Sequence, residues 1–129
     1  MSSISNLIIL TATVKPQVRQ GLRRTNPELR LMDYVVAVER TLKQVKRIDA
    51  EVLLLENSDC IDLIAHKLSD RSVNSNKLHF LSCPFDVSSE SDGISSGEHS
   101  MLRYAAINFD LLSYDFIWKL TGRLWIQNL

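Results

Sequence analysis

Short apolar runs alternate with stretches of helical period along this chain, and that alternation restricts its fold more than any other feature. Residues 6–13 (NLIILTAT), 51–57 (EVLLLEN) and 77–83 (KLHFLSC) are too short for core helices, and the first two are apolar through their middles. Runs of this kind suit strands buried on both faces, as in parallel sheets, where crossover helices cover each side. A fourth run, 115–126 (DFIWKLTGRLWI), reads as the last strand and its extension.

The intervening segments carry helix signals. Residues 14–26 form a polar, basic connection, after which Asn26 and Pro27 supply an N-cap and a proline at the first helical position. The helix that follows is expected to reach about Arg47. Its Leu31, Val35, Val38, Leu42 and Val45 make one buried stripe, leaving Arg40, Lys43, Lys46 and Arg47 to water. A short helix is expected over 60–68, with Ile61, Ile64, Ala65 and Leu68 on one side. Residues 84–96 read as a loop rich in Ser, Asp and Gly. Ser95 and Glu98 have capping-box spacing, so a third helix is expected over 97–113, burying Met101, Ala105, Ile107 or Asn108, and Leu112.

Strand, helix, strand, helix, strand, helix, strand predicts an α/β domain with a Rossmann-like three-layer parallel sheet. Right-handed crossovers give strand order 3-2-1-4. Ligands bind outside the carboxyl ends of such strands where the order reverses. The expected lining is 11–15 after the first strand, 56–59 after the second and 119–123 on the fourth.

Length and charge bound the rest. The 129 residues suffice for one domain and exclude a second, and 45% apolar content supplies a core. Fifteen basic residues balance fifteen acidic ones, so no bulk field draws the chain to nucleic acid or an anionic membrane. Residues 1–50 nevertheless hold nine basic and four acidic side chains, against six and eleven in 51–129. The N-terminal excess concentrates in Lys15, Arg19, Arg23, Arg24 and Arg30, which serve either as a solvated surface or as a phosphate-facing loop. Cys60 and Cys83 make no disulfide framework and no metal spacing, and read as buried thiols of a reducing compartment. Neither a signal peptide nor a run of ~20 apolar residues is present, so the expected location is cytoplasmic with no membrane span.

Three segments carry candidate chemistry. In KLTGR (119–123), strand alternation sets Lys119, Thr121 and Arg123 on one face, two cations and a hydroxyl suited to a diphosphate. The alternative is that both cations pair with Asp115 or Glu98. In GEHSMLRYA (97–105), a helix start offers free N–H groups to an anion. There Glu98 either closes the capping box with Ser95, or binds a sugar hydroxyl or acts as a base; Arg103 and Tyr104 either reach a ligand or cover the sheet. In ENSDCID (56–62), Asn57 or Ser58 either contacts a nucleoside or caps the next helix. His66, His79 and His99 lack metal-binding spacing, and no glycine-rich dinucleotide loop, phosphate-binding loop or nucleophile elbow occurs.

Taken together, NLIILTAT, PELRLMDY, LLLENS, GEHSMLRYA and KLTGRLWIQN resemble the N-terminal, donor-binding half of a bacterial nucleotide-sugar glycosyltransferase of the GT-A fold, the type used for surface polysaccharides. The resemblance implies that Thr11, Thr13, Arg30, Glu56, Asn57, Gly97, Lys119, Thr121 and Arg123 surround the nucleotide sugar, with Glu98 as the catalytic candidate and a carbohydrate as acceptor. Enzymes of this type commonly carry an Asp-x-Asp metal motif near the fourth strand. Here Lys119 and Arg123 stand in that neighbourhood, so fixed cations are expected to stabilise the leaving diphosphate, with no metal or other cofactor. The sequence stops about where an acceptor-binding half would begin, so a truncated product, a natural minimal form or half of a partner-completed site is expected.

Two further readings compete. A noncatalytic α/β interaction module would use its apolar C-terminal edge, including Trp125 and Ile126, to bind a partner chain or a second copy. A phosphatase or nucleotidase would need Asp33, Asp59 or Asp115 as nucleophile, without the paired aspartates expected after the first strand.

Overall fold

A computed structural model describes residues 5–15, 26–84 and 94–121, with backbone alone for 94–98 and 121. The elements run β1 (Asn6–Ala12), α1 (Pro27–Val45), β2 (Ala50–Glu56), α2 (Ile61–Lys67), α3 (Asp70–Val73), β3 (Leu78–Ser82), α4 (Ile94–Asn108), a 3-10 turn (Leu111–Ser113) and β4 (Phe116–Thr121). The four strands form one Rossmann-like parallel sheet in the order β3-β2-β1-β4. Both the class and the order match the sequence expectation.

Strand periodicity sorts the core into two layers. Ile8, Leu10, Ala12, Val52 and Leu54 face α1 and α2, meeting Tyr34, Val35, Val38, Leu42, Val45, Ile64 and Leu68. The alternate residues Leu7, Ile9, Leu53 and Leu55 face Met101 and Ala105 of α4. Burying each such large side chain contributes roughly 1.5–3 kcal/mol, which makes β1 and β2 the least replaceable segments. In helix α1 the predicted stripe holds, with Leu31 half-buried and the other four residues buried, while Arg40, Lys43, Lys46 and Arg47 are exposed.

Helix boundaries follow from local hydrogen bonding. Asn26 Oδ1 accepts from Glu28 N–H at 2.9 Å and Leu29 N–H at 3.2 Å, fixing the start of α1. The helix stops at Val45, short of Arg47. Its last carbonyls are taken up in a turn, Ile48 N–H donating to Val45 O at 3.2 Å. Helix α3 was not foreseen; Ser69 Oγ caps it by accepting Ser72 N–H at 3.2 Å.

Helix α4 differs most from expectation. It begins at Ile94, so Ser95 lies inside the helix and the Ser95–Glu98 capping box is not its start. No proline between Pro84 and Gly97 forces a later start. Its C-terminal end also departs from the reading, because Ile107 (77% exposed), Asn108 and Leu112 (97% exposed) face outward. The stripe runs Met101, Ala105, then Phe109, spacings of one helical turn; Ile107 falls on the opposite side. Leu112 follows after the helix has ended. Strand β4 is described to Thr121; the expected extension to Ile126 lies outside the described residues.

Candidate functional site

Parallel strands bring all their carboxyl ends to one edge, and two loops there are locked together by a buried acid. Glu56, the last residue of β2, is 0% exposed. Its Oε1 accepts N–H from Ser58 and Cys60, each at 2.8 Å, and its Oε2 accepts Val14 N–H at 2.8 Å. The Ser58 hydroxyl also donates to Oε2, while Ser58 Oγ accepts Lys15 N–H at 2.9 Å. One carboxylate thus fixes the turn after β1 and the turn after β2.

A second brace comes from α1. Arg30, 6% exposed, donates from Nε to Thr13 O and from a terminal nitrogen to Tyr34 Oη, both at 2.7 Å. Its guanidinium also lies 5.7 Å from the Tyr34 ring centre, a cation over an aromatic face. Tyr34 Oη in turn accepts Thr13 N–H at 3.0 Å. The Thr13 hydroxyl donates to Asn57 Oδ1 at 2.6 Å, and Asn57 N–H donates to Ala12 O at 3.2 Å.

Above this braced edge lies a cavity of about 600 Å³, lined by Lys15, Asn57, Ser58, Asp59, Ser82, Cys83, Pro84 and Tyr104. Asp59 holds a left-handed backbone (φ 58°), where aspartate is tolerated better than most residues with a Cβ. Cys83 is buried, and burial followed by the Glu56 charge pushes its thiol up to about 11, so it is a poor nucleophile at neutral pH. Among the described residues no group of three or more His, Cys, Asp and Glu is placed to hold a metal ion.

The expected site residues divide accordingly. Asn57 borders the cavity. Thr11, Arg30 and Glu56 are buried and are not among the cavity residues, and Thr13 joins the braces to Asn57. Lys119 is exposed on the α4 side of β4, in register with Ile9, and is not among the cavity residues. Thr121 pairs with Thr11 and Gly97 and Glu98 lie in the early part of α4, but the side chains of Glu98 and Thr121 lie outside the described part of the structure. Arg123 lies outside the described residues altogether. Ser82, Cys83 and Pro84 were not singled out from sequence, although their place at the end of a parallel strand was a usable signal. Tyr34 was missed as well, since a tyrosine on a helix stripe gives no sign of the backbone it will bind.

Comparison with protein-family models, with curated proteins and with solved structures finds no match. Among the described residues no helix is long and apolar enough to cross a membrane.

Proposed function

We propose that this chain is the donor-binding half of a GT-A-type glycosyltransferase, holding a nucleoside diphosphate sugar at the carboxyl edge of its sheet for transfer to a carbohydrate. The observation that carries this reading is the cavity at the carboxyl ends of β1, β2 and β3 in a 3-2-1-4 parallel sheet, on the edge where such sheets bind ligands and beside the β1–β4 reversal of strand order. Tyr104 offers an aromatic wall, while Asn57 and Asp59 bring polar groups and Lys15 a cation. Strands β2 and β4 flank β1, so about 10 Å separates their lines, two spacings of roughly 4.8 Å. That distance is comparable with the reach of an extended nucleoside diphosphate. A base in the cavity would direct its phosphates across the end of β1 toward β4, the strand that carries Lys119; Arg123 is the second proposed cation from sequence. Glu98 is the proposed base or sugar-hydroxyl ligand.

Calorimetry with nucleoside diphosphates and their sugars tests the reading. Binding of at least one is expected, unchanged by EDTA and weakened by Lys119→Ala and Arg123→Ala. Binding of none overturns it, as does binding indifferent to both substitutions.

One observation favours a second reading, an interaction module without catalysis. Phe116, Ile117 and Trp118 on edge strand β4 are 52%, 44% and 55% exposed, an apolar strip of the kind that pairs with another chain. Strictly monomeric behaviour at high concentration counts against it.

A further inference from the structure

Among the described residues, β4 ends one side of the sheet with no strand beyond it. Edge strands are ordinarily blunted by charge, proline or a covering segment, because their unpaired N–H and C=O groups invite another strand. Residues 116–118 carry neither charge nor proline, and all three apolar side chains are exposed. Phe116 N–H donates to Ser5 O at 3.2 Å, toward β1. Backbone alternation then turns the N–H and C=O of Ile117 to the open side. It also sets Phe116 and Trp118 on the sheet face of Ile8, and Ile117 and Lys119 on the face of Ile9. The Trp118 indole spends its only donor on Asn6 Oδ1 at 3.2 Å, so the rest of its exposed surface is apolar.

The sequence of this edge is complementary to itself. Residues 115–119 read DFIWK, an acid and an aromatic on one side of Ile117, an aromatic and a base on the other. A twofold axis normal to the sheet at Ile117 lays two copies of the strand antiparallel. Ile117 then meets Ile117, Phe116 meets Trp118, and Asp115, just before the strand, meets Lys119 of the second copy. Moving the axis by one residue sets Ile117 against Asp115 or Lys119 instead. The register at Ile117 therefore matches apolar with apolar and acid with base. Asp115 holds Ser5 N–H through Oδ2 at 2.8 Å, which leaves Oδ1 for the ammonium. Equal numbers of acidic and basic residues remove any bulk repulsion between copies.

We infer that β4 is a self-association edge, through which two copies of this chain join their sheets antiparallel about Ile117. At the axis, each Ile117 exchanges N–H and C=O bonds with its counterpart. Phe116 and Trp118 form the flanking non-hydrogen-bonded pairs, where facing side chains come closest. The inference goes beyond the nucleotide reading and does not depend on it. An ammonium carries three donors, so a Lys119 paired with Asp115 of the second copy can still meet a phosphate.

Sedimentation equilibrium of the full chain is expected to show a dimer. Ile117→Lys sets like charges directly opposite and should raise the dissociation constant at least about tenfold. Lys119→Asp and Asp115→Lys should each weaken the dimer alone, whereas their mixture restores both acid–base pairs and should associate. Ile117→Cys should give a disulfide-linked dimer on mild oxidation, because hydrogen-bonded pairs hold their Cα atoms about 5.5 Å apart. Trp118→Cys, whose counterpart is Phe116, should not. A chain monomeric at every concentration leaves the strip to a different partner and overturns the inference. A dimer indifferent to Ile117→Lys places the interface elsewhere, and a mixture that stays apart refutes the register. Circular dichroism checks that each variant folds. Where one does not, the mass of the unsubstituted chain and the Ile117→Cys cross-link decide.

Discussion

Replacing Glu56 tests whether one buried carboxylate holds the carboxyl edge together. In Glu56→Ala, three backbone N–H groups lose their acceptor. Those of Val14 and Cys60 belong to residues 1% and 2% exposed, whereas Ser58 is half-buried and can reach water. Two enclosed N–H groups at about 1–3 kcal/mol each give a loss of about 4 kcal/mol. Relief of the buried charge offsets little of this, because four donors already compensate it. Glu56→Gln retains one acceptor oxygen. With that oxygen on Ser58 and Cys60, the new amide nitrogen faces Val14 N–H, while the Ser58 hydroxyl can turn to accept. One enclosed N–H is lost, about 2 kcal/mol. For a chain of this length these figures correspond to melting points lowered by about 16 °C and 8 °C. Urea unfolding followed by circular dichroism gives both values. An alanine variant within about 1 kcal/mol of the parent refutes the reasoning, and so does a glutamine variant less stable than the alanine one.

Other substitutions probe the remaining groups. Cys83, its thiol raised to about 11 by burial and then by Glu56, should react with iodoacetamide at neutral pH far more slowly in the folded protein than in urea; equal rates contradict the packing. Tyr114 is raised to about 12, first by burial, then by its hydrogen bond to Glu51 at 3.0 Å and that residue's charge. The folded state therefore retains the phenol proton that the unfolded chain loses near pH 10, so this contribution is complete below pH 10 and lost as pH rises toward 12. Tyr114→Phe should flatten the fall in urea midpoint over that interval, and an unaltered slope removes Tyr114 as its source. Arg30→Ala, which strips one buried and one part-buried hydrogen bond, should lower unfolding free energy by about 2 kcal/mol without any ligand. Lys119→Ala, at an exposed position, should change it by less than about 0.5 kcal/mol yet weaken nucleotide binding; the reverse pattern would exchange their assigned roles.

Fold legibility tracked how strongly each segment is buried. Strands β1 and β2 announce themselves because both faces are covered, leaving Leu7 to Leu10 and Val52 to Leu55 unbroken by polar residues. Helix α1 is equally plain, with a side-chain cap at one end and a single stripe along its length. Helix α4 is harder to read: it packs through the narrow face of Met101 and Ala105, and its remaining apolar residues fit more than one phase. The candidate site was legible as a place before it was legible as residues. Topology located the carboxyl edge, but the sequence does not say which polar side chain there is consumed by backbone. Glu56 and Arg30 look like ligand contacts in one dimension because buried carboxylates and guanidiniums are rare. Only the arrangement of Val14, Ser58, Cys60 and Thr13 around them reveals that loop backbone is their partner.

That distinction divides the edge into two layers with different physics. In the lower layer, the Glu56 carboxylate, the Arg30 guanidinium and the Tyr34 hydroxyl bind the loops that follow β1 and β2. A change there removes partners from enclosed groups, so its cost appears in the stability of the empty protein. In the upper layer, Lys15, Asn57, Asp59 and Tyr104 line the cavity, and on the proposed reading a change there should alter what is bound more than whether the chain folds.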